Sequence, residues 1–303
     1  MNLLFNDHKL VDRLRSIKNI FLLNQSDYLT HFLDNAILEL MKPTTEMSVD
    51  KVQALFDFTI QSPSSVSSSD PFKECFFVEQ SPFSLFEQLM KINSIVGVDV
   101  KKYQESFFAG RHVNINETLS TGIAAPASDV TSLTGMDTFM VGYNVGFPLS
   151  LVLSKKVITK YQIIFRNLIQ CKFLERMLGS TWLEGAKLQG KLDKRATAGL
   201  FTQDEQERSI LSKLSLLRSK MLHFIQQITY YMFFEVIEPQ WARFEAHLSC
   251  VSTVDDLLEK HEDFLNSCLK ESMLTDPKLI VVLNVDIDVW RYPGNLPFLC
   301  RTY

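Results

Sequence analysis

The stretch Arg218–Trp241, RSKMLHFIQQITYYMFFEVIEPQW, constrains the fold more than any other part of the chain. Together with the residues just before it, it places apolar side chains at Leu214, Leu217, Met221, Phe224/Ile225, Ile228 and Tyr231/Met232. Recurrence every three or four residues is the period of a helix that buries one stripe. Two tyrosines, two carboxylates and a proline then crowd its C-terminal end. Pro239 is expected to kink or end the helix, because it lacks an N–H and its ring meets the carbonyl four residues back. Trp241, Phe244 and Leu248 continue the stripe beyond it. Such a helix carries almost no catalytic chemistry and suits a protein that holds other things.

Other segments share the helical period. Leu10, Leu14, Ile17 and Phe21 lie on one face, and after a break at Asn24-Gln25 either Ser26 or Asp27 can cap a second helix. That helix carries Leu29, Phe32/Leu33, Ala36/Ile37 and Leu40, and Pro43 stops it. Ser48 can cap a third, with Val52, Leu55/Phe56 and Ile60 inward. Three short helices with brief joints read as the start of a bundle. Ser81 and Pro82 supply an N-cap and a first-turn proline for a helix through about Asn93. From Ser154 a long helix turns Val157, Tyr161, Ile164/Phe165, Leu168, Cys171 and Leu174 inward. A last one starts near Thr253, where Asp255 and Asp256 suit the positive end of the macrodipole; Leu258, Phe264/Leu265, Cys268/Leu269 and Met273 follow as its apolar face. Cys75–Val78 and the alternating Phe139, Val141 and Tyr143 are strand candidates. If they pair, a small sheet sits beside the helices. Residues 62–70, 97–137 and 185–207 read as loops. Only 11 Gly and 10 Pro occur in 303 residues, and 46% of the chain is hydrophobic, which favours long helices and a sizeable core. The expected fold is mainly α, a helical bundle with long antiparallel helices and a small two-stranded sheet.

Several function classes drop out. A net charge of −4 and a pI near 5.9 argue against nucleic acid as the main partner. No segment approaches the roughly 20 apolar residues that span a bilayer, and the N-terminus, MNLLFNDHKLVDRL, is charged where a signal peptide needs an apolar run. The five cysteines (75, 171, 250, 268 and 300) are scattered and form no CxxC pair, the pattern of reduced thiols in a cytosolic protein. Gly185-Ala-Lys-Leu-Gln-Gly190-Lys191-Leu192 has the spacing of a phosphate-binding loop, but Leu192 stands where magnesium needs a hydroxyl. A flexible connection between helices is the expected reading. His223, His247 and His261 have no ligand partner at metal-binding spacing and are expected at helix surfaces or boundaries. No GxSxG nucleophile signature occurs. Glu235 and Glu238, three apart, read on their own as a solvated helix face. No catalytic, cofactor or metal site is expected.

Four colinear segments carry a resemblance. LRSKMLHFIQQITYYMFFEVIEPQW resembles the hallmark helix of the gamma-tubulin complex components, in which a basic-then-apolar stretch runs into a double tyrosine and a V-(I/L/M)-E ending. Residues 14–43 are similar to the family's leucine-rich start and its Gln-Gly-Asp turn. Residues 143–178 (YNVGFPLSLVLSKKVITKYQIIFRNLIQCKFLERML) and 255–274 (DDLLEKHEDFLNSCLKESML) match in the same order. YYMFFEVIEPQW and DPFKE (70–74) point to the component-two type. Ser26 stands where the turn commonly has glycine, and Phe147 where the family usually has tryptophan before the proline.

The resemblance implies an incomplete gamma-tubulin-binding helical C-terminal domain over 1–278, without the family's last helices, and 279–303 a tail outside the family pattern. It places no counterpart here of the family's N-terminal domain, so lateral contacts with other gamma-tubulin complex components are expected to be impaired. It further implies templated microtubule nucleation and minus-end capping at a centrosome or spindle pole in the cytoplasm, with no bond made or broken by the component itself. Tyr230, Tyr231, Glu235, Glu238 and Pro239 are the implied gamma-tubulin contacts. Tyr231 lies on the apolar stripe and is expected in the core rather than at a contact; Glu235 and Glu238 are the better contact candidates. The alternative is a shortened helical scaffold or adaptor that does not bind gamma-tubulin.

Overall fold

A computed structural model describes residues 8–25, 27–62, 69–95, 133–197, 204–248, 250–251 and 253–276. The tail 279–303, Cys300, Ser26 and most of the expected loops at 62–70 and 97–137 lie outside these. Contacts divide the described residues into two units. One comprises the chain up to Leu168 and from Pro239 onward; the other is Ile169–Glu238.

The first unit begins with α1 (Leu10–Phe21), α2 (Asp27–Leu40) and α3 (Val49–Gln61). Leu10, Leu14, Ile17 and Phe21 are buried on α1, and Val52, Phe56 and Ile60 on α3, as their spacing requires. Aromatic rings join the elements. Phe32 of α2 meets Phe56 edge-on at 5.7 Å and stacks on Phe139 at 5.3 Å, while Phe21 lies 5.8–6.0 Å from Phe76, Tyr161 and Phe165. Such pairs add about 0.5–1.5 kcal/mol each beyond their burial.

Strands β1 (Phe76–Gln80) and β2 (Phe139–Tyr143) pair antiparallel, with Phe76 opposite Tyr143 and Val78 opposite Val141. The two sequence candidates therefore do form the small sheet. Two exposed edges would invite further pairing, and side chains close both. The Val78 N–H donates to Gln53 Oε1 of α3, and Gln162 Nε2 donates to the Val141 carbonyl at 3.0 Å. The Phe77 ring lies over Gly142 on β2, so a Cβ there would have to push that ring aside.

After β1, α4 (Leu85–Ile95) starts later than its expected cap. Ser84 accepts from the Glu87 N–H at 3.2 Å, whereas Ser81 closes a turn with the backbone of Phe83. A short turn of helix, α5 (Gly135–Thr138), precedes β2, and its Thr134 and Asp137 form a reciprocal capping box. Helix α6 (Lys155–Thr197) runs 43 residues, and α7 (Asp204–Tyr230) follows. Most of the loop expected at 185–207 is thus helical: Leu, Lys, Gln and Ala dominate there, and each glycine costs a helix only about 1 kcal/mol. The second unit packs α6 against α7 antiparallel through Leu174, Leu178, Met221 and Ile225, with Gln226 donating to Glu175 and Arg218 to the Leu178 carbonyl.

Back in the first unit, α8 (Glu238–Leu248) buries Trp241, Phe244 and Leu248. Helix α9 (Val254–Glu271) is capped by Thr253, which accepts from the Asp256 N–H at 3.3 Å. At its other end Met273, expected inward, is 40% exposed with φ 62°, and the Leu274 N–H reaches back to the Leu269 carbonyl. This is a left-handed helix stop, which favours glycine because a Cβ is strained there. Met273→Gly should therefore raise the unfolding free energy by about 1 kcal/mol; a lower urea midpoint than wild type would refute the assignment.

Candidate functional site

Beyond Tyr230 the α7 backbone changes pitch. Tyr231–Ile237 is π-helical, and the Glu238 N–H bonds to the Phe233 carbonyl, five residues back. Pro239 supplies the reason. In an unbroken α-helix its ring would press on the Glu235 carbonyl and leave that group without a donor. The wider turn takes up one extra residue and lets α8 begin one position before the proline, where a missing N–H costs little. Pro239 accordingly neither ends the helix nor stops its buried stripe.

The wider turn decides which side chains face out. Met232, Val236 and Ile237 are buried, whereas Tyr230 is 55%, Tyr231 38% and Phe234 58% exposed. Glu235 is exposed, and Glu238 and Pro239 are half-buried. The expectation that Tyr231 belongs to the core is corrected: an α-helical period extended past Tyr230 puts Tyr231 and Met232 on the same stripe, but the π turn begins at Tyr231 and Met232 alone goes inward. Tyr230, Tyr231, Phe234 and Glu235 share the outward surface of the second unit. Phe234, absent from the sequence candidates, completes it. Its ring centroid lies 4.7 Å from that of Tyr230, and the four-residue interval between the two was the available signal. Phe233 is half-buried, with the Lys172 ammonium 6.0 Å from its ring.

This surface has the composition of a binding surface. It offers aromatic rings in contact, which bury large areas at small entropic cost, beside carboxylates suited to a polar rim. Elsewhere, residues 185–192 lie inside α6, so their amides serve the helix and form no loop around a phosphate. Burial pushes the thiols of Cys171 and Cys268 up to about 12, which keeps both protonated and unreactive. His223 and His247 are exposed, as expected, but His261 is completely buried. Its charged neighbours in sequence point outward from α9 while His261 itself occupies the inner face. Among the described residues, no group of three His, Cys, Asp or Glu could hold a metal ion, and no helix is long and apolar enough to cross a membrane.

Comparison with known proteins adds to this geometry. A family profile described as "Gamma tubulin complex component C-terminal" matches residues 10–287. The chain is 34% identical over 286 residues to "Gamma-tubulin complex component 2" of Mus musculus, covering 94% of this chain and 28% of that protein. It is also 34% identical over 296 residues to "Spindle pole body component alp4" of Schizosaccharomyces pombe, covering 93% and 37%. "Gamma-tubulin complex component 2" of Arabidopsis thaliana is 34% identical over 280 residues, covering 92% and 35%. The chain thus spans about a third of the length of these curated relatives.

Proposed function

Because the chain belongs to the gamma-tubulin complex component C-terminal family, we propose that it is a gamma-tubulin-binding element of that complex. The observation that carries the proposal is the outward cluster of Tyr230, Tyr231, Phe234 and Glu235 on a backbone turn of unusual pitch, with Glu238 and Pro239 directly after it. Exposed aromatic side chains in contact are costly to leave in water and are the usual anchors of a protein interface. π turns also occur disproportionately at functional positions.

The role is templating. Several gamma-tubulins held side by side on neighbouring components form a ready-made microtubule end, and the association entropy that makes a spontaneous nucleus rare is met in advance. The same array would cap a minus end. It would act at a microtubule-organising centre in the cytoplasm, together with other components of the complex. Nothing in this role requires the chain to make or break a bond.

The test is capture of purified gamma-tubulin by this chain in a surface-binding assay. Tyr230→Ala with Phe234→Ala should weaken binding about 30-fold, the effect of losing an anchor worth roughly 2 kcal/mol. Glu235→Ala with Glu238→Ala should weaken it about tenfold, as for rim carboxylates worth about 1.4 kcal/mol together. Binding that survives the glutamate changes removes both residues from the site. Wild-type chain that captures no gamma-tubulin overturns the proposal.

A further inference from the structure

Helix α7 is amphipathic twice over. Its inner face packs on α6 through Met221 and Ile225. Its outer face repeats Lys213, Leu216, Lys220, Phe224, Gln227 and Tyr231 at intervals of three or four residues, and all six are exposed. Leu216 is 60% and Phe224 42% exposed. At 1.5 Å per residue this face extends about 27 Å from Lys213 to Tyr231, and it leads directly into the Tyr230–Phe234 cluster.

The charge along it is one-sided. No Asp or Glu occurs from Arg208 to Phe234, a stretch that holds Arg208, Lys213, Arg218 and Lys220, although the chain as a whole carries −4. Asp204, Glu205 and Glu207 precede this stretch, and Glu235 and Glu238 follow it. From Arg208 onward the outer surface therefore has a cationic start, an aromatic and aliphatic middle, and an anionic end. A uniformly solvated helix face has no need of Leu216 and Phe224, and a purely electrostatic patch has no need of them either. Apolar anchors set between lysines fit a surface that buries the former and pairs with the latter.

We infer that gamma-tubulin docks along the outer face of α7 from Lys213 onward, with an acidic surface tract against Lys213 and Lys220 and basic groups against Glu235 and Glu238, so that the charge order along this stretch fixes its direction. This rests on the gamma-tubulin reading and extends its contact from the π turn back by about five helical turns. Opposite charges at the two ends favour one orientation of the partner and penalise the reverse, since like charges brought together across an interface are repelled. A template that presents several copies in one polarity needs such a device.

The test measures association of purified gamma-tubulin with the full chain at low and at physiological salt. Lys213→Glu with Lys220→Glu should slow association about tenfold at low salt and flatten or invert its salt dependence. Leu216→Ala with Phe224→Ala should speed dissociation about tenfold with the salt dependence kept. Glutamate and lysine have similar helix propensity, so the reversal keeps α7 folded, and reversal of the exposed Lys51 on α3 serves as the charge control. If the Lys213/Lys220 reversal leaves the association rate and salt slope at wild-type values while the Tyr230/Phe234 variant still weakens binding, this inference fails and the gamma-tubulin reading stands. If the Lys51 reversal has as large an effect as the Lys213/Lys220 pair, net charge rather than this face governs association and the inference fails. If wild type does not bind at all, both fail together.

Discussion

Replacing Arg166 by methionine is expected to lower the unfolding free energy by about 3–5 kcal/mol, the cost of breaking a buried polar hub whose two terminal nitrogens make four hydrogen bonds. Arg166 is 1% exposed in α6. Its Nη1 donates to Gln88 Oε1 at 2.6 Å and to Ser81 Oγ at 3.4 Å; its Nη2 donates to the Phe83 carbonyl at 2.8 Å and to the Asp137 carbonyl. One guanidinium thereby ties α6 to the entry of α4 and to the turn of α5. Burial lowers its pKa to about 10, against the opposing pull of Asp137, so it stays charged at neutral pH. Methionine fills similar space but leaves these acceptors without their donor, the buried Asp137 carbonyl and Ser81 hydroxyl most of all. Lysine keeps the charge yet cannot present a planar fork to acceptors on two sides, and Arg166→Lys should fall between the two. Urea unfolding reads all three proteins. A methionine variant with the wild-type midpoint would falsify the hub.

A second large effect comes with acid. His261 is buried with its Nε2 2.9 Å from the Tyr161 hydroxyl, and Phe244 stacks on its ring at 5.2 Å. Burial, helped by the Lys160 ammonium and opposed by Glu262, lowers its pKa from 6.5 to about 4. A depressed folded-state pKa means that the unfolded chain binds the proton more readily. Its stabilising contribution is therefore complete above pH 6.5 and is lost as pH falls toward 4. The full loss is about 3 kcal/mol, at 1.36 kcal/mol per pH unit. Glu262, which Lys156 and then Lys160 hold down to about 2 by hydrogen bonds, titrates below this window and contributes little because the cluster is exposed. His261→Phe with Tyr161→Phe, which removes both polar partners at once, should flatten stability between pH 6.5 and 5. Chemical denaturation at half-unit pH intervals checks this; a slope equal to that of wild type would move the acid response elsewhere.

Much of the fold was legible because burial and local period agree. The faces of α1, α2 and α3 and the pairing of Phe76–Gln80 with Phe139–Tyr143 could be read from apolar spacing and β-branched or aromatic runs. The misreadings have a common cause, in that local signals do not report what lies across space. Two glycines and several charges made 185–197 look like a loop, yet a long helix absorbs such costs when its other half is well packed. Charged neighbours on α9 hid the fact that His261 occupies the inner position. At the candidate site Glu235 and the outward Tyr230 were readable, but Tyr231 was not, because its side of the helix depends on hydrogen bonds that span five residues instead of four.

The widened turn from Tyr231 to Ile237 also changes how length can vary in this chain. An α-helix that gains a residue normally swings everything beyond it by about 100°, and the partners on either side lose each other. Here the surplus is held within the helix as a local bulge, so α7 and α8 each keep their own phase and no loop is opened to water. The segment works as slack within the helix, and that slack is displayed on the surface as a pair of aromatic rings in contact.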